Sequence, residues 1–428
     1  MPLLYKKPLL ISSYAPPAIG GPNNLYCLLR DAKPEELDYT ILTSFYNIDP
    51  LSAKVGNWLP GSYAFYDRPS ATKEQAQNPH DGGQSAGKRG QTAVAKLKHL
   101  MKRSAIIRSL AGIPVIASQI LTMYRAGKRV AGQKGSELIV AFSDYGPALI
   151  SSYLLHKKTK LPLYLFMFDL YKGNFFPFPG ALLAGIFEPK LFSVAEKIVV
   201  TNEGTKEFYV RRYGAWVSDK IVVIHNAAFG GAYDALASEY DPKPPYTILF
   251  TGRIYWPQIG ALKNLVKAVE AMNDPEIKLK FYCPNPKEYL QRIGLDSPKI
   301  EWSVAAPKEM PAIQSKADIL FLPLSWGTKS QMIIDTATPG KLTDYLAAGR
   351  PMLVHAPASS TLVAYARKRM FATIVDTENI QALQNAIRSI LNNVAASRKM
   401  IQNARSTFNE NHEATSNAKR FLALLARS

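Results

Sequence analysis

Between Thr336 and Pro351 the chain reads TATPGKLTDYLAAGRP, and two of its side chains are spaced to do chemistry. Thr338 suits a helix cap and Pro339 a first helical residue, while Gly349 and Pro351 end the helix. On such a helix Lys341 and Asp344 lie three residues apart and project together. A lysine beside the free N–H groups of Gly340 and its neighbours suits a phosphate, and a carboxylate one turn on can accept hydrogen bonds from a ribose diol. The same spacing would also make an ordinary surface ion pair. A second cation, Arg253, follows the strand-like YTILF in Thr251-Gly252-Arg253. Glycine at the carboxyl end of a strand lets a ligand reach the backbone, and a guanidinium fork fits a diphosphate. A loop salt bridge is the alternative for Arg253. Gly20-Gly21 repeats the glycine device after the first strand. Asp169 ends the apolar run LPLYLFMFD and precedes LYKGNFFPFPG. Burying a carboxylate there is costly unless it is paired or faces a cleft. We place Asp169 in a cleft, with an N-cap or loop anchor as the other option.

Elements must carry these groups. LLISSY, YTILTSF, ELIVAFSD, LPLYLFMFD, KIVVTN and KIVVIHN read as one series of strands between helical patterns. YTILFTGR, IKLKFYC, KIEWS, ADILFLPL, PMLVHA and FATIVD read as a second. Continuous apolar strands alternating with helices indicate parallel sheets covered on both faces. The fold class is therefore α/β, with two doubly wound Rossmann-like domains. At 428 residues the chain has the length for two such cores. We expect a first domain over 1–235, a proline-rich linker over 236–246, a second domain over 247–405, and a closing helix over 406–428. Ile380, Leu383, Ala386, Ile387 and Ile390 mark one helical face.

Charge is uneven. Of the formal +19, eleven Lys or Arg and no acid fall between Gly82 and Ser136. Val94, Leu97 and Met101 recur at helical spacing there, and AGIPVIASQILTMY (111–124) follows, apolar but too short to span a bilayer. This predicts a basic amphipathic hairpin on an anionic membrane face, with a solvated helical face as the plainer reading. Tyr124 is the segment's only aromatic, so stacking platforms for nucleic acid are missing and no nucleic-acid partner is expected.

Other chemistries are excluded by their missing parts. Gly82–Arg89 imitates a P-loop, but Arg89 stands where Ser or Thr must hold Mg²⁺. There is no G-x-G-x-x-G, no H-E-x-x-H and no D-x-D, and two cysteines with six histidines offer no zinc cluster. No metal site and no resident cofactor are expected. The N-terminus lacks the long apolar region of a signal peptide, so the expected location is cytoplasmic and peripheral at the inner membrane face.

The order of motifs resembles the GT-B glycosyltransferases, in particular the retaining family 4 type. PPAIGGPNN, IVVTNEGTKEFYVRRYG, KIVVIHNAAF, LFTGRIYWPQIGALKNLVKAV, ADILFLPL and TPGKLTDYLAAGRPMLV carry the resemblance along nearly the whole chain. It implies two domains facing across a cleft, the nucleotide sugar mainly on the second and the acceptor mainly on the first, with the closing helix crossing back. It implies that Arg253, Gly340, Lys341 and Gly21 attend the donor diphosphate, that Asp344 holds the ribose, and that the first domain supplies an acceptor-side polar group, for which Asp169 is the catalytic candidate. The family's E-x7-E pattern has its first Glu at 336, where this chain has Thr336 with Asp335 beside it as a possible sugar contact. Gln258 stands near the family's second cation, and Lys329 is the expected substitute. The implied activity is transfer of a hexosyl group from a nucleoside-diphosphate sugar, without metal, to a saccharide or lipid-linked acceptor of a polysaccharide precursor. A nucleotide-sugar 2-epimerase of the same fold and an inactive partner of another transferase are the alternatives.

Overall fold

The computed structural model describes residues 4–18, 21–67, 105–143, 146–174, 178–327 and 330–427. Lys329, Gly20 and residues 82–104 of the basic segment lie outside them. By contacts the chain forms two units, one of Met1–Val199, Trp216–Val222 and Leu425–Ser428, the other of Val200–Ala215 and Val223–Leu424.

The first unit is built on a seven-stranded sheet in the order β3-β2-β1-β4-β5-β6-β7. Its strands are β1 (Pro8–Ile11), β2 (Thr40–Thr43), β3 (Ser62–Phe65), β4 (Leu138–Phe142), β5 (Leu163–Met167), β6 (Lys197–Val200) and β7 (Ile221–Val223). Its helices are α1 (Pro22–Leu29), α2 (Pro50–Lys54), α3 (Ala105–Lys134), α4 (Pro147–Thr159) and α5 (Gly180–Val194). Every residue of β1, β4 and β5 is buried, as a strand covered on both faces requires. β1 pairs in parallel with both β2 and β4, so the strand order reverses between β1 and β4.

In the second unit come α6 (Glu203–Tyr213), α7 (Gly231–Asp234), β8 (Tyr246–Thr251), α8 (Trp256–Met272), β9 (Ile277–Tyr282), α9 (Lys287–Arg292), β10 (Ile300–Ser303), α10 (Met310–Gln314) and β11 (Ile319–Pro323). Then follow α11 (Gln331–Thr336), α12 (Lys341–Ala347), β12 (Met352–His355), α13 (Thr361–Arg369), β13 (Ala372–Val375), α14 (Ile380–Asn392), α15 (Val394–Asn411) and α16 (Ala414–Leu425). The sheet order is β10-β9-β8-β11-β12-β13, all parallel. Strand alternation divides the core. Ile248, Phe250, Ile319, Phe321 and Leu353 pack with α8 and α14. Leu249, Leu320, Leu322, Met352 and Val354 face the layer of α12, α13 and α15. Two such layers fix the C-terminal ends of β8 and β11, where the order reverses and α/β folds place ligands.

Several expectations change. β3 was not legible as a strand: it is a half-buried edge of four residues, too short to show alternation. Residues 105–134 form one continuous helix through Pro114, and the rest of the expected hairpin, in 82–104, lies outside the described residues. Thr338 does not cap α12, which starts at Lys341 with Gly340 in the N-cap position and no side-chain cap. The Thr338 hydroxyl instead accepts from Asn202 Nδ2 at 2.7 Å, and the same amide group donates to the Thr336 carbonyl. Gly349, at φ +68, ends this segment as expected. Residues 200–215 and 223–235, read above as part of the first domain, have their contacts in the second unit, and Asn202 is one reason.

Candidate functional site

In the second unit the chemistry gathers where β8 ends and α12 begins. Gly252 has φ +95, and a Cβ there would stand 3.5 Å from Lys341 Cε. The backbone turn and the lysine therefore share one small space. Lys341 Nζ sits 4.5 Å from the Phe250 ring centroid, over its negative face. With the Gln258 amide oriented to satisfy both its atoms, its oxygen accepts from Lys341 Nζ at 3.0 Å and its nitrogen donates to the Arg253 carbonyl at 3.1 Å. Gln258, where the family resemblance anticipates a cation, is thus a buried tether for Lys341. Desolvation brings the Lys341 ammonium down to about 7, only partly opposed by Asp344.

Asp344 is held by groups that carry no motif. Desolvation lifts its carboxyl to about 6, against a hydrogen bond from Tyr233 and the charge of Lys341. The Tyr233 hydroxyl also lies 2.6 Å from Gln314 Oε1. Gln314 is fixed in that sense because its Nε2 donates to Thr251 Oγ1 at 3.1 Å. One phenolic proton then faces two acceptors, a further reason for Asp344 to hold its own proton more tightly. Thr251 N donates to the Tyr345 hydroxyl at 2.9 Å, which ties the end of β8 to α12. Arg253, by contrast, is exposed, and among the described residues its guanidinium has no hydrogen-bond or ion-pair partner. The loop salt bridge is not made among them. Gly340 is exposed, and a Cβ at this position would meet nothing within 4 Å.

Asp335 and Thr336 do different work. Asp335 Oδ1 accepts from Gln331 Nε2 at 2.9 Å and from Ser359 Oγ at 2.7 Å. The buried Thr336 hydroxyl donates back to the Met332 carbonyl at 2.9 Å, so the side chain at the family's Glu position is turned into its own helix.

In the first unit Asp169 is exposed, yet its surroundings desolvate the carboxyl and raise its pKa. Such a combination fits a group in a concave wall. Ser143 Oγ accepts from the backbone N–H of Phe168 at 2.8 Å and of Asp169 at 3.3 Å, joining the ends of β4 and β5. Gly21, in the N-cap position of α1, would place a Cβ 4.0 Å from Phe168 Cδ2, so the glycine loop and the Asp169 strand end are neighbours. A polar cavity of about 280 Å³ opens beside the ends of β1, β2 and β3, lined by Ser13, Tyr14, Ser44, Tyr46, Asn47 and Asp67 among others. Asp67 accepts from Ser44 Oγ at 2.5 Å and from Phe45 N at 2.7 Å, and Asn47 Nδ2 donates to the Ser13 carbonyl at 2.7 Å. No Lys or Arg is among its described lining residues. The polar run after SYAF was its only sequence signal.

Among the described residues no group of His, Cys, Asp or Glu is arranged to hold a metal ion, and no helix is long and apolar enough to cross a membrane. Residues 245–393 match the family "Glycosyl transferases group 1". A comparison with curated protein sequences gives no match. Among solved structures the chain is similar to Anabaena Alr3699/HepE in complex with UDP-glucose, at 11% identity and TM-score 0.62 over 98% of this chain and 99% of that one. It is similar to a glycosyltransferase from Rickettsia africae ESF-5, at 13% identity and TM-score 0.63 over 98% of both chains. A putative UDP-N-acetylglucosamine 2-epimerase from Listeria monocytogenes is also similar, at 15% identity and TM-score 0.55 over 98% and 95%. The two parallel sheets, these neighbours and the match over residues 245–393 identify a GT-B glycosyltransferase fold with the group 1 signature in its second half.

Proposed function

We propose that this protein transfers a hexosyl group from a nucleoside-diphosphate sugar to a hydroxyl on a saccharide or lipid-linked precursor, with retention, at an anionic membrane face. The observation that carries the donor half is the pair Lys341 and Asp344 at the end of β8, both desolvated, with Gly252 opening the backbone beside them. As the glycosidic bond breaks, negative charge grows on the departing diphosphate. Cations placed beforehand in a water-poor site stabilise that charge without reorganising. Lys341 supplies one such charge and the exposed Arg253 a second. Because α12 has only seven residues, its dipole adds little beside them. Asp344, with Tyr233 and Gln314 behind it, is oriented to accept from the ribose diol. Gly340, where a Cβ would meet nothing within 4 Å, leaves room for the phosphates beside Lys341. Metal is not needed in this reading, since the side-chain cations take its role. Asp169 would lie on the acceptor side, and Asp335 near the sugar.

The similarity to HepE crystallised with UDP-glucose supports a nucleotide-sugar donor as the first probe. A panel of such donors followed by thermal shift, with release of nucleoside diphosphate measured with and without acceptor, tests the proposal. One or more donors should raise the melting temperature and release diphosphate. Stabilisation with a 2-epimer as the only product would favour the epimerase, and binding without turnover the inactive partner. No stabilisation by any donor would remove the proposal.

A further inference from the structure

α3 and α5 together show an apolar surface that the other described residues of the first unit leave exposed. From Ile120 on, α3 is packed through Ile120, Met123, Ala126, Val130 and Ala131. Within residues 112–121, Ile113, Val115 and Leu121 are 43%, 56% and 47% exposed. At roughly 100° per residue these three point to different sides of the helix, about 80 to 160° apart. Ser118 and Gln119 are the only polar residues of 112–121, so this stretch shows apolar side chains on three sides, more than an ordinary water-facing helix does. Beside it, Phe178, Leu182 and Ile186 recur every fourth residue along one stripe of α5 and the turn before it, and all three are exposed. The two elements touch: a Cβ at Gly112 would lie 3.5 Å from Pro179 Cδ and 3.8 Å from the Phe178 carbonyl oxygen.

The charge around this surface has one sign. α3 contains no Asp or Glu, and its outward positions after Leu121 are Arg125, Lys128 and Arg129, all exposed. The one acid of α5, Glu188, is fully buried and accepts from Lys172 N at 2.6 Å. The α5 stripe ends in the exposed Lys190. We infer that residues 112–121 of α3 and the Phe178–Leu182–Ile186 stripe together enter the interfacial region of a bilayer containing anionic lipid. A fluid hydrocarbon boundary can surround a rod that is apolar on three sides, whereas a second copy of the chain presents a fixed face. Two copies would also bring Arg125, Lys128, Arg129 and Lys190 against themselves. The cations sit one to two turns behind the apolar tip, where lipid phosphates would lie. This deepens the membrane part of the proposed function and makes apolar insertion, not net charge alone, the anchor.

The test is sedimentation with vesicles of phosphatidylcholine alone or with one-fifth phosphatidylglycerol, at 0.1 and 0.5 M salt. Salt screens exposed charges but not inserted apolar surface. The parent should retain a salt-resistant bound fraction on the anionic vesicles. Val115→Gln, Leu182→Gln and Ile186→Gln combined should lower the 0.5 M salt partition at least tenfold. The equally exposed Leu51→Gln, Val55→Gln and Val304→Gln, combined elsewhere on the surface, should leave it unchanged. A single Leu182→Trp variant should gain fluorescence that brominated acyl chains quench, and Leu51→Trp should not. An unaltered partition in the first triple variant, unquenched Leu182→Trp, or a concentration-dependent dimer abolished by that triple overturns the inference. Donor-induced thermal stabilisation in the same samples separates the two claims. If the parent binds vesicles but no donor, the proposed activity fails and the docking surface stands.

Discussion

The end-of-strand regions of the two units use opposite electrostatics. At β8 and α12 a lysine and an aspartate are taken partly out of water, and each is pushed toward its neutral form. Beside β1, β2 and β3 the cavity's described lining has one carboxylate, already satisfied by Ser44 and Phe45, and no cation. Desolvated charge costs stability unless a ligand compensates it. In the proposed reading the second unit takes the anion, and the first an uncharged, hydroxyl-rich group. The same fold topology supports both, because the difference lies in side chains at strand ends and not in the sheets.

Variants can break this contrast, beginning with the largest effect. Lys341→Met removes the cation held by Gln258 and Phe250. A hydrogen bond to a charged group contributes about 1.5 to 3 kcal/mol, so donor affinity by calorimetry should fall roughly ten- to hundredfold. Arg253→Ala should cost at least tenfold in diphosphate affinity with no change in melting temperature, since the guanidinium has no partner among the described residues to lose. Unchanged affinity would remove it from the site. Asp344→Asn should weaken the donor by about tenfold through the ribose. A 2′-deoxy donor should lose less in that variant than in the parent; equal losses would detach Asp344 from that hydroxyl.

The pH dependence sharpens the same contrast. Ribose recognition needs the Asp344 carboxylate and is gained as pH rises through about 6. Diphosphate binding needs the Lys341 ammonium and is lost as pH rises through about 7. Affinity for a nucleotide sugar, whose phosphates do not titrate there, should peak between these values and fall about threefold by pH 7.5. The sign for stability follows separately. The depressed lysine destabilises the free protein fully below about 7 and less as pH rises toward 10.5, whereas the raised aspartate destabilises it fully above about 6. A flat affinity profile from pH 5 to 8 would mean that neither group meets the donor. The smallest effect belongs to the first unit: Tyr46→Ala, at the cavity's exposed rim, should raise the acceptor KM severalfold and leave donor affinity alone. A loss of donor affinity there would erase the distinction between the units.

Much of the fold was legible because buried parallel strands are long apolar runs, and Lys341, Asp344 and Arg253 sit at their ends. What sets the behaviour of those groups was not. Tyr233 reaches Asp344 from α7 and Gln314 reaches Tyr233 from α10, and such pairings depend on tertiary placement that no local pattern encodes. Gln258 read as a missing cation and is instead a tether. The α5 stripe escaped because Phe178, Leu182 and Ile186 have the spacing of a core face, and periodicity gives the face without saying whether anything covers it.

The pairing of Lys6 and Glu137 with residues 425–427 has a consequence for synthesis on the ribosome. Lys6 N donates to the Leu425 carbonyl at 2.9 Å, and Arg427 makes a two-pronged bond to Glu137 at 2.9 and 2.6 Å. Residues 200–215 emerge long before the Thr336–Thr338 turn that Asn202 holds. Translation in order therefore cannot finish one unit before starting the other. The first-made sheet waits for residues 425–427 to close its margin, and the nascent chain must keep two incomplete cores soluble until they emerge. Replacing Arg427 by Ala would spare every strand and still leave the Glu137 carboxylate with only the Lys7 N–H to accept from.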